Sequence, residues 1–296
     1  MTGWLIYGEE DVKKNQSYID LYMEEGRKSG IKIQLILAGK LEIGIRDRTR
    51  FVTYGHEAVT KPDFAICRTI YPLLTKQLEY LGIPVFNNSR VAGLCNDKAK
   101  TCQYVAQLGI DMVDSVFIRG KELKEAMDRI EGRSVIKAVA GHGGSQVFLF
   151  DPIASTSVER EEILKGVGHS DAIIQPFTGT GRQDLRVYVI GRKIIAAILR
   201  TAREGFKSNY SLGGKVERYE LSEEEVLTVM KIISIFDFGL AGIDFLIGDK
   251  GELIFNEIED VVGARMLYEC TDINLAGLYL SYIASKLTSQ EYINNK

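Results

Sequence analysis

Three carboxylates interrupt an otherwise apolar pattern in AGIDFLIGDKGELIFNEIE, residues 241–259. They are Asp244, Glu257 and Glu259. The stretch predicts two strands around a turn at residues 248–251. Such a turn places Asp244 opposite about residue 255, with Glu257 as its diagonal neighbour.

Residues two apart on a strand share a face, so Glu257 and Glu259 are expected on one face and Asn256 and Ile258 on the other. Three carboxylates then meet on one side of the hairpin. Uncompensated, they would repel each other and raise at least one pKa, whereas Mg²⁺ suits such hard oxygen ligands. A solvent-facing strand with scattered acids is an equally good interpretation of this segment alone.

Lys137 lies inside the apolar segment SVIKAVA, where an ammonium group is costly unless it meets an anion such as a phosphate. The glycine-rich stretch AGHGG follows at residues 140–144 and allows backbone N–H groups to approach phosphates closely. A plain hairpin turn also explains these glycines. The stretch is not a P-loop, and no GxGxxG follows the first strand.

The segment IIQPF ends an apolar strand at residues that could pair with the edge of an adenine. Pro176 has a carbonyl but no N–H, and adenine needs both an acceptor and a donor. The Pro176 carbonyl and the Thr178 N–H meet that need. A simple strand-ending turn is the alternative.

The elements that must position these residues change in type along the chain. The first 90 or so residues alternate short apolar runs with helical patterns, and Gly30 and Gly82 mark helix ends, which predicts a βαβ-type α/β lobe with a mostly parallel sheet. From about Asn96 a second lobe begins with the helix DKAKTCQYVAQLG. Antiparallel strands then predominate, with a turn at Gly191 and a helix capped by Ser222.

The composition excludes several classes of protein. A chain of 296 residues with a formal charge of −3 lacks the concentrated Lys and Arg of a nucleic-acid or membrane surface. No segment reaches the roughly 20 apolar residues of a membrane span, and the N-terminus does not read as a signal peptide. The four cysteines have neither CxxC spacing nor a His partner at metal-ligand spacing. We expect a cytoplasmic protein with reduced thiols and with no nucleic-acid or membrane partner.

A series of short motifs, in this order, resembles the ATP-grasp ligases and within them the RimK-like group. The resemblance covers roughly residues 60–290 and includes the segment DLRVYVIGRKIIAAILRTAREGFKSNYSLGG. The motifs are Asp97-Lys98, Lys137 before the glycines, Gln175-Pro176-Phe177, Asp184-Leu185-Arg186, Lys207-Ser208-Asn209 and Asp244 to Glu259. It implies an α/β protein of the ATP-grasp fold, in which an N-terminal pre-ATP-grasp lobe (1–92) precedes two α+β subdomains (93–175 and 176–296) with ATP between antiparallel sheets.

The resemblance also implies a role for each matched residue. ATP contacts fall to Lys98, Lys137, the glycine loop with Gly141, His142, Gly143 and Gly144, the hinge Gln175, Pro176, Phe177 and Thr178, and Asp184 and Asn209. Metal contacts fall to Asp244, Glu257 and Glu259, and substrate or phosphate contacts to Arg186, Arg200 and Arg265. For His142, Arg186, Arg200 and Arg265 an exposed surface position is the alternative.

Two features depart from the pattern of that family. Its metal strand usually ends in Glu-x-Asn followed by Ser-Pro-Gly, whereas this chain has Glu257-Ile258-Glu259 followed by Asp260-Val261-Val262-Gly263. The change adds a negative charge at the metal. It also alters the loop that often holds the amino substrate in relatives. The bidentate guanidinium fork of Arg265 is a candidate clamp for a substrate carboxylate.

The chemistry that the resemblance implies is ATP-dependent ligation of a carboxylate to an amine through an acyl phosphate, with Mg²⁺ (two ions, replaceable by Mn²⁺) as the cofactor. The partners would be a small-molecule or peptide carboxylate and an amino acid, in a homo-oligomeric dimer or tetramer. A nucleotide-binding module without catalysis is the alternative, and a structural Ca²⁺ site ranks last. In the first lobe, Arg68, Tyr71 and Asn87 are candidates for the acceptor pocket.

Overall fold

The structure is a computed structural model that describes residues 1–142, 146–177, 183–202 and 214–294. Its strands are β1 (Thr2–Tyr7), β2 (Lys32–Leu37), β3 (Leu41–Arg46), β4 (Thr49–Tyr54), β5 (Glu57–Ala58), β6 (Phe64–Cys67), β7 (Val85–Phe86), β8 (Val116–Ile118), β9 (Ser134–Ala138), β10 (Val147–Phe150), β11 (Ala172–Pro176), β12 (Gln183–Ile190), β13 (Lys193–Thr201), β14 (Lys215–Tyr219), β15 (Leu240–Ile247) and β16 (Leu253–Glu259). The helices are α1 (Glu9–Lys28), α2 (Pro72–Tyr80), α3 (Ser89–Cys95), α4 (Lys98–Ala106), α5 (Leu123–Met127), α6 (Ser157–Val167), α7 (Glu223–Ile235), α8 (Arg265–Cys270) and α9 (Leu275–Asn294).

The N-terminal lobe contains a four-stranded sheet in the order β2-β1-β6-β7, and every pairing in it is parallel. Helices α1 and α2 end just before Gly30 and Gly82, whose φ angles of 69° and 80° are in the left-handed region that glycine adopts without strain. The predicted βαβ lobe with a parallel sheet is therefore confirmed.

A small antiparallel sheet, β3-β4-β5, is inserted in this lobe and was not predicted from the sequence. Arg46 pairs with Thr49, so Asp47 and Arg48 form a two-residue hairpin turn. Their φ angles are 47° and 64°, as the twist of such a hairpin requires at both central positions. The usual signal is Asn-Gly or Gly-Gly, and without glycine the sequence does not reveal this turn.

The central sheet has the order β10-β9-β11-β8, with antiparallel pairing throughout. Ile136 and Ala138 on β9 face its core with α5 and α6, while Lys137 alternates to the other face and is only partly buried. The hairpin predicted around the glycine-rich loop is confirmed, and β9 presents Lys137 to the space beside the last sheet.

The C-terminal sheet has five antiparallel strands in the order β14-β13-β12-β15-β16. One face packs on α7, which begins at a Ser222 cap as predicted. The other face carries the charged side chains of Asp184, Arg186, Arg200 and Asp244. Farther along, it joins a core shared with α1 of the N-terminal lobe and with the C-terminal helix α9. The sheet is thus held from both sides, which fixes its polar residues in place.

The division at residues 92 and 175 remains a prediction. Val105 of α4 and Cys95 of α3 belong to the core of the C-terminal sheet, although the sequence places this segment at the border of the central subdomain. No helix in the described part of the chain combines the length and apolar character that crossing a membrane demands. All four cysteines are free thiols.

Candidate active site

The hairpin of β15 and β16 pairs Asp244 directly with Glu257. The predicted register, with Asp244 opposite about residue 255, is therefore wrong. The loop is longer than the predicted turn, since Ile247 pairs with Leu253. A β-bulge next to Asp244 adds another residue to β16, because Phe245 pairs with Phe255. Together these two features bring Glu257 opposite Asp244.

The bulge also changes which side chains of β16 share a face. Leu253, Phe255 and Ile258 all lie in the core beneath the sheet, so the alternation of faces slips by one residue between positions 255 and 258. Asn256 therefore joins Glu257 on the polar side, and its predicted position on the opposite face is wrong. The predicted common face of Glu257 and Glu259 agrees with this arrangement.

The three predicted carboxylates meet at one point. An oxygen of each of Asp244, Glu257 and Glu259 lies within 4.8 Å of the others. Asp244 is buried, and the two glutamates are partly buried. Oxygen donors at this spacing fit Mg²⁺, which binds through one or two carboxylates and completes its shell with water and phosphate oxygens.

Two arginines hold Asp244 from within the sheet. Arg186 Nε and Nη2 donate to the two Asp244 carboxylate oxygens at 2.8 and 2.6 Å, and Arg186 also lies 2.8 Å from Glu259. Arg200 Nη2 donates to Asp244 at 2.8 Å. Arg200 Nη2 and Nε also donate to the two carboxylate oxygens of Asp184, at 2.7 and 2.5 Å. The sheet register sets this network, because Arg186 pairs with Asp244 and Asp184 with Arg200.

The same charges separate the pKa values of the three acids. Burial acts to raise the pKa of Asp244, but Arg186 and Arg200 outweigh it and hold that pKa far below its ordinary value. Burial is likewise outweighed at Glu257, whose pKa is lowered mainly by Lys98. At Glu259, burial and the charges of its two acidic neighbours raise the pKa despite Arg186. Glu259 is the acid that most lacks positive charge, and a bound cation would supply it.

Two lysines approach the acids from the central part of the chain. Lys98, the first residue of α4, lies 3.0 Å from Glu257 and donates to the Gly141 carbonyl at 2.5 Å. Lys137 Nζ donates to Asn256 Oδ1 at 2.9 Å. Burial and the nearby charge of Lys98 lower the pKa of Lys137, although Glu257 opposes them. Lys98 thus reaches the carboxylate cluster from the start of α4, and Lys137 reaches the neighbouring Asn256 from the central sheet.

The described part of the glycine-rich loop lies beside Lys98. His142 is at its surface, and local burial together with the Lys98 charge lowers the pKa of its ring below the ordinary value. Gly141 contributes the carbonyl that accepts from Lys98. Gly143 and Gly144 lie outside the described residues, as do Thr178 and Asn209.

The predicted adenine hinge follows β11. Gln175 is buried and donates from its amide to Ser115 Oγ at 2.9 Å. The Phe177 N–H donates to the Arg133 carbonyl at 2.9 Å, and the Arg133 guanidinium lies 4.8 Å from the centre of the Phe177 ring. Pro176 is exposed at the end of the strand. The hinge function of these residues remains a prediction.

Other predicted residues lie apart from the cluster or in a supporting position. Arg265 begins α8 and is exposed, and its side chain makes no ion pair or hydrogen bond with the described residues. Asp184 is buried beneath Arg200, which makes it a support for that arginine in this structure. Arg186 and Arg200 were predicted to contact substrate or phosphate. In the structure their guanidinium groups bind the carboxylates of Asp184, Asp244 and Glu259.

Asn256 was not predicted as a site residue. The signal for it in the sequence is a polar side chain at a position where simple alternation with Glu257 and Glu259 demands an inward-facing residue. Such a conflict marks a bulge or a functional constraint.

Comparisons with known proteins give several similar sequences and structures. The RimK-like ATP-grasp domain matches residues 95–283. A protein of Legionella pneumophila named probable alpha-L-glutamate ligase is 30% identical over 215 residues, which cover 71% of this chain and 70% of that protein. A RimK domain ATP-grasp protein of Sphaerobacter thermophilus has a similar solved structure, with a TM-score of 0.70, 14% identity, and coverage of 96% of this chain and 100% of that one.

The structure of the ATP-grasp ligase PsnB with a phosphomimetic variant of a minimal precursor, Mg and ADP is also similar. Its TM-score is 0.67 at 14% identity, with coverage of 96% of this chain and 97% of that one. These similarities confirm the predicted fold class. With most of its length matched by the domain, the chain belongs to the RimK-like ATP-grasp family.

Proposed function

We propose that this ATP-dependent carbon–nitrogen ligase joins a small-molecule or peptide carboxylate to the amine of an amino acid, through an acyl phosphate. The observation that carries the proposal is the meeting of Lys98 and Lys137 with Asp244, Glu257 and Glu259 at one gap between two antiparallel sheets. The family match, the ligase names of the relatives and the ADP and Mg in the PsnB structure support it.

The first step is attack of a substrate carboxylate oxygen on the γ-phosphorus of ATP. The bond from that phosphorus to the β-bridging oxygen breaks, and ADP leaves. The protein needs no nucleophile of its own, because phosphoryl transfer depends on positioning and on neutralised charge. Lys98 and Lys137 supply the positive charges beside the acids, and they would exchange Glu257 and Asn256 for phosphate oxygens when ATP binds.

The second step is attack of the amine on the carbonyl carbon of the acyl phosphate. The carbon–oxygen bond to the phosphate breaks, inorganic phosphate leaves, and the nitrogen loses a proton as the amide forms. Water would hydrolyse the acyl phosphate, so the two sheets and the glycine-rich loop must exclude water while it exists.

Asp244, Glu257 and Glu259 would hold the magnesium ion. When bound, Mg²⁺ supplies positive charge that polarises the phosphates. Arg186 and Arg200 keep Asp244 ionised and fixed in orientation, and thus prepare the oxygen ligands before a cation arrives. A second ion, substitution by Mn²⁺, a dimeric or tetrameric assembly and a cytoplasmic location remain predictions from the sequence, as does the absence of a nucleic-acid or membrane partner.

A coupled assay of ADP release tests the proposal. Pools of the twenty proteinogenic amino acids and of small carboxylates are added with ATP and Mg²⁺, and active pools are then divided. We expect release that needs both substrates and stops when EDTA removes the metal. Glu257→Gln should lower it by about 100-fold, because it removes a charged metal contact, whereas Glu220→Gln at an exposed position of the same subdomain should not. If the protein binds ATP but releases no ADP with any pool of substrates, the non-catalytic alternative is favoured.

A further inference from the structure

The β3–β4 hairpin extends beyond the core of the N-terminal lobe and ends on an exposed surface beside α2. Ile45 pairs with Arg50 across the hairpin, on the face that Ile43 and Val52 turn towards the core. Ile45 is 72% exposed, and Arg50 is exposed as well. The core-facing side of the hairpin therefore continues, near the tip, as a surface open to solvent.

Helix α2 completes this surface. Lys76 and Tyr80 follow Leu73 by three and seven positions, so the three side chains share one face of the helix. Leu73 and Tyr80 are 63% and 55% exposed. Gln77 of α2 joins the helix to the hairpin, because its side-chain amide donates to the Gly44 carbonyl of β3 at 2.8 Å. We call the exposed set the hairpin–helix patch; it consists of Ile45, Arg50, Leu73, Lys76 and Tyr80.

Two cations of the patch lie over one aromatic ring. The Arg50 guanidinium carbon is 4.3 Å, and Lys76 Nζ is 4.8 Å, from the centre of the Tyr80 ring. Glu79 pairs with Lys76 at 3.3 Å, but the same carboxylate also accepts hydrogen bonds from the backbone and the hydroxyl of Ser89. Arg50 forms no salt bridge with a carboxylate of the described residues. The patch thus carries excess positive charge, which an anion would neutralise.

The chemistry of the patch favours an acidic polypeptide as its ligand. The planar fork of Arg50 matches a carboxylate, and the exposed Ile45 and Leu73 beside it offer contacts to aliphatic side chains. A nucleic acid has phosphates but no aliphatic side chains, and its binding depends on many cations at once. Here the acids Asp47 and Glu79 lie among the few cations, and the formal charge of the whole chain is −3.

We propose that the hairpin–helix patch binds an acidic segment of a polypeptide partner, with carboxylates on its two cations and apolar side chains on its two aliphatic residues. The cations lie away from the carboxylate cluster. The carbonyl of Leu81, at the end of α2, accepts from Lys61 just before β6 at 2.8 Å, whereas Arg68, just after β6, donates to the Val262 carbonyl of the loop that follows the cluster. Binding of the partner therefore does not require ATP.

Fluorescence anisotropy without ATP tests the proposal. The probes are a panel of labelled peptides of about twelve residues, rich in Glu and Asp with interspersed Leu. We expect saturable binding of acidic peptides that weakens as salt is added, and binding at least about tenfold weaker when Gln and Asn replace the acids. A labelled single-stranded DNA of the same length should bind more weakly than the acidic peptides. Absence of saturable binding by every acidic peptide, or tighter binding of the DNA, would overturn the proposal.

Two variants of the same hairpin locate the binding site. Arg50→Gln should weaken binding of the acidic peptide by about tenfold, and Arg50→Lys, which keeps the charge but not the fork, should weaken it less. Arg46→Gln is the matched control: Arg46 is also exposed and lies 4.8 Å from the Phe51 ring, but strand alternation places it on the opposite face of the hairpin. Its loss should change binding by less than about twofold. Equal losses in Arg46→Gln and Arg50→Gln would indicate general attraction to positive charge and contradict the proposal, whereas the proposed ligase function would be unaffected.

Discussion

Two groups of polar contacts meet at the carboxylate cluster, and they join different parts of the molecule. The first group, formed by Asp184, Arg186, Arg200 and Asp244, lies within one sheet, and all four residues are at least nine-tenths buried. The second group reaches β16 from other elements: Lys98 of α4 pairs with Glu257, with side chains 14% and 27% exposed, and Lys137 of the central sheet donates to Asn256. Both groups contact the carboxylate cluster, but the proposed binding of ATP would affect them differently.

The contrast separates contacts that support the site from contacts that ATP would replace. Pairs within the sheet are fixed by strand register and have no need to open, so they hold Asp244 in place. The Lys98 and Lys137 contacts lie where we propose that the phosphates bind, so ATP would displace them. We therefore expect the first group to contribute mainly to stability and the second mainly to ATP binding.

The largest effect on stability is expected from Arg200→Met. It leaves Asp184 without its bidentate partner and Asp244 with one arginine, and breaking a buried network in this way costs about 3–5 kcal/mol. Urea unfolding measures the change. Arg218→Met, on the neighbouring strand β14 with its side chain 61% exposed, is the matched control and should change stability by less than about 0.5 kcal/mol. Equal effects of the two variants would break the comparison.

A smaller stability loss, of about 1 kcal/mol, is expected from Lys98→Met, because its partner Glu257 keeps contact with solvent. ATP affinity should fall by about tenfold or more, since a charge-assisted contact to phosphate is lost. Calorimetric titration with ATP and Mg²⁺ measures this. Lys100→Met on the same helix removes a surface pair with Asp97 and should leave the affinity unchanged. If Lys98→Met instead destabilises the protein as much as Arg200→Met does, the Lys98–Glu257 pair is structural.

The pH dependence of ATP affinity tests whether Lys137 contacts a phosphate. Its pKa in the free protein is lowered below the ordinary 10.5 by burial, and a bound phosphate favours the charged form. At pH values below that lowered pKa, Lys137 is charged in both the free and the ATP-bound protein, so the affinity for ATP does not change with pH. Above that pKa, Lys137 must take up a proton when ATP binds, so the affinity for ATP falls by up to about tenfold per pH unit. Lys137→Arg stays charged and should abolish this alkaline loss, whereas exposed Lys193→Arg should not. An identical pH profile for all three proteins contradicts a phosphate contact of Lys137.

The sequence predicted those features of the site that depend on local pattern. The convergence of Asp244, Glu257 and Glu259 follows from a hairpin with acids two apart on one strand, and the parallel N-terminal sheet follows from alternating strands and glycine-terminated helices. What it missed depends on register. Alternation assumes regular strands, so the bulge that places Asn256 beside Glu257 was not foreseen.

The partners of Arg186 and Arg200 were beyond the sequence for a related reason. Whether Arg200 meets Asp184 depends on the turn at Gly191 and on an irregularity between Tyr188 and Val189, and neither fixes a register in advance. The burial of Arg68 beside Val262 joins residues 194 positions apart and depends on how whole lobes pack. Contacts of this kind are set by tertiary structure, which local propensity does not predict.

The smallest effect is expected from Asn256→Ala, which removes the neutral partner of Lys137. Stability should fall by about 1 kcal/mol or less, because one hydrogen bond between the sheets is lost. ATP affinity should change by less than about threefold, since Lys137 gives up this contact when it turns to phosphate, whether or not Asn256 is present. Asn15→Ala, at a helix position far from the gap, gives the baseline for an asparagine truncation. A tenfold loss of ATP affinity in Asn256→Ala, without such a loss in Asn15→Ala, would show that Asn256 itself contacts the nucleotide or its metal. The bulge would then present a fourth ligand, whereas we infer that Asn256 only binds Lys137 until ATP arrives.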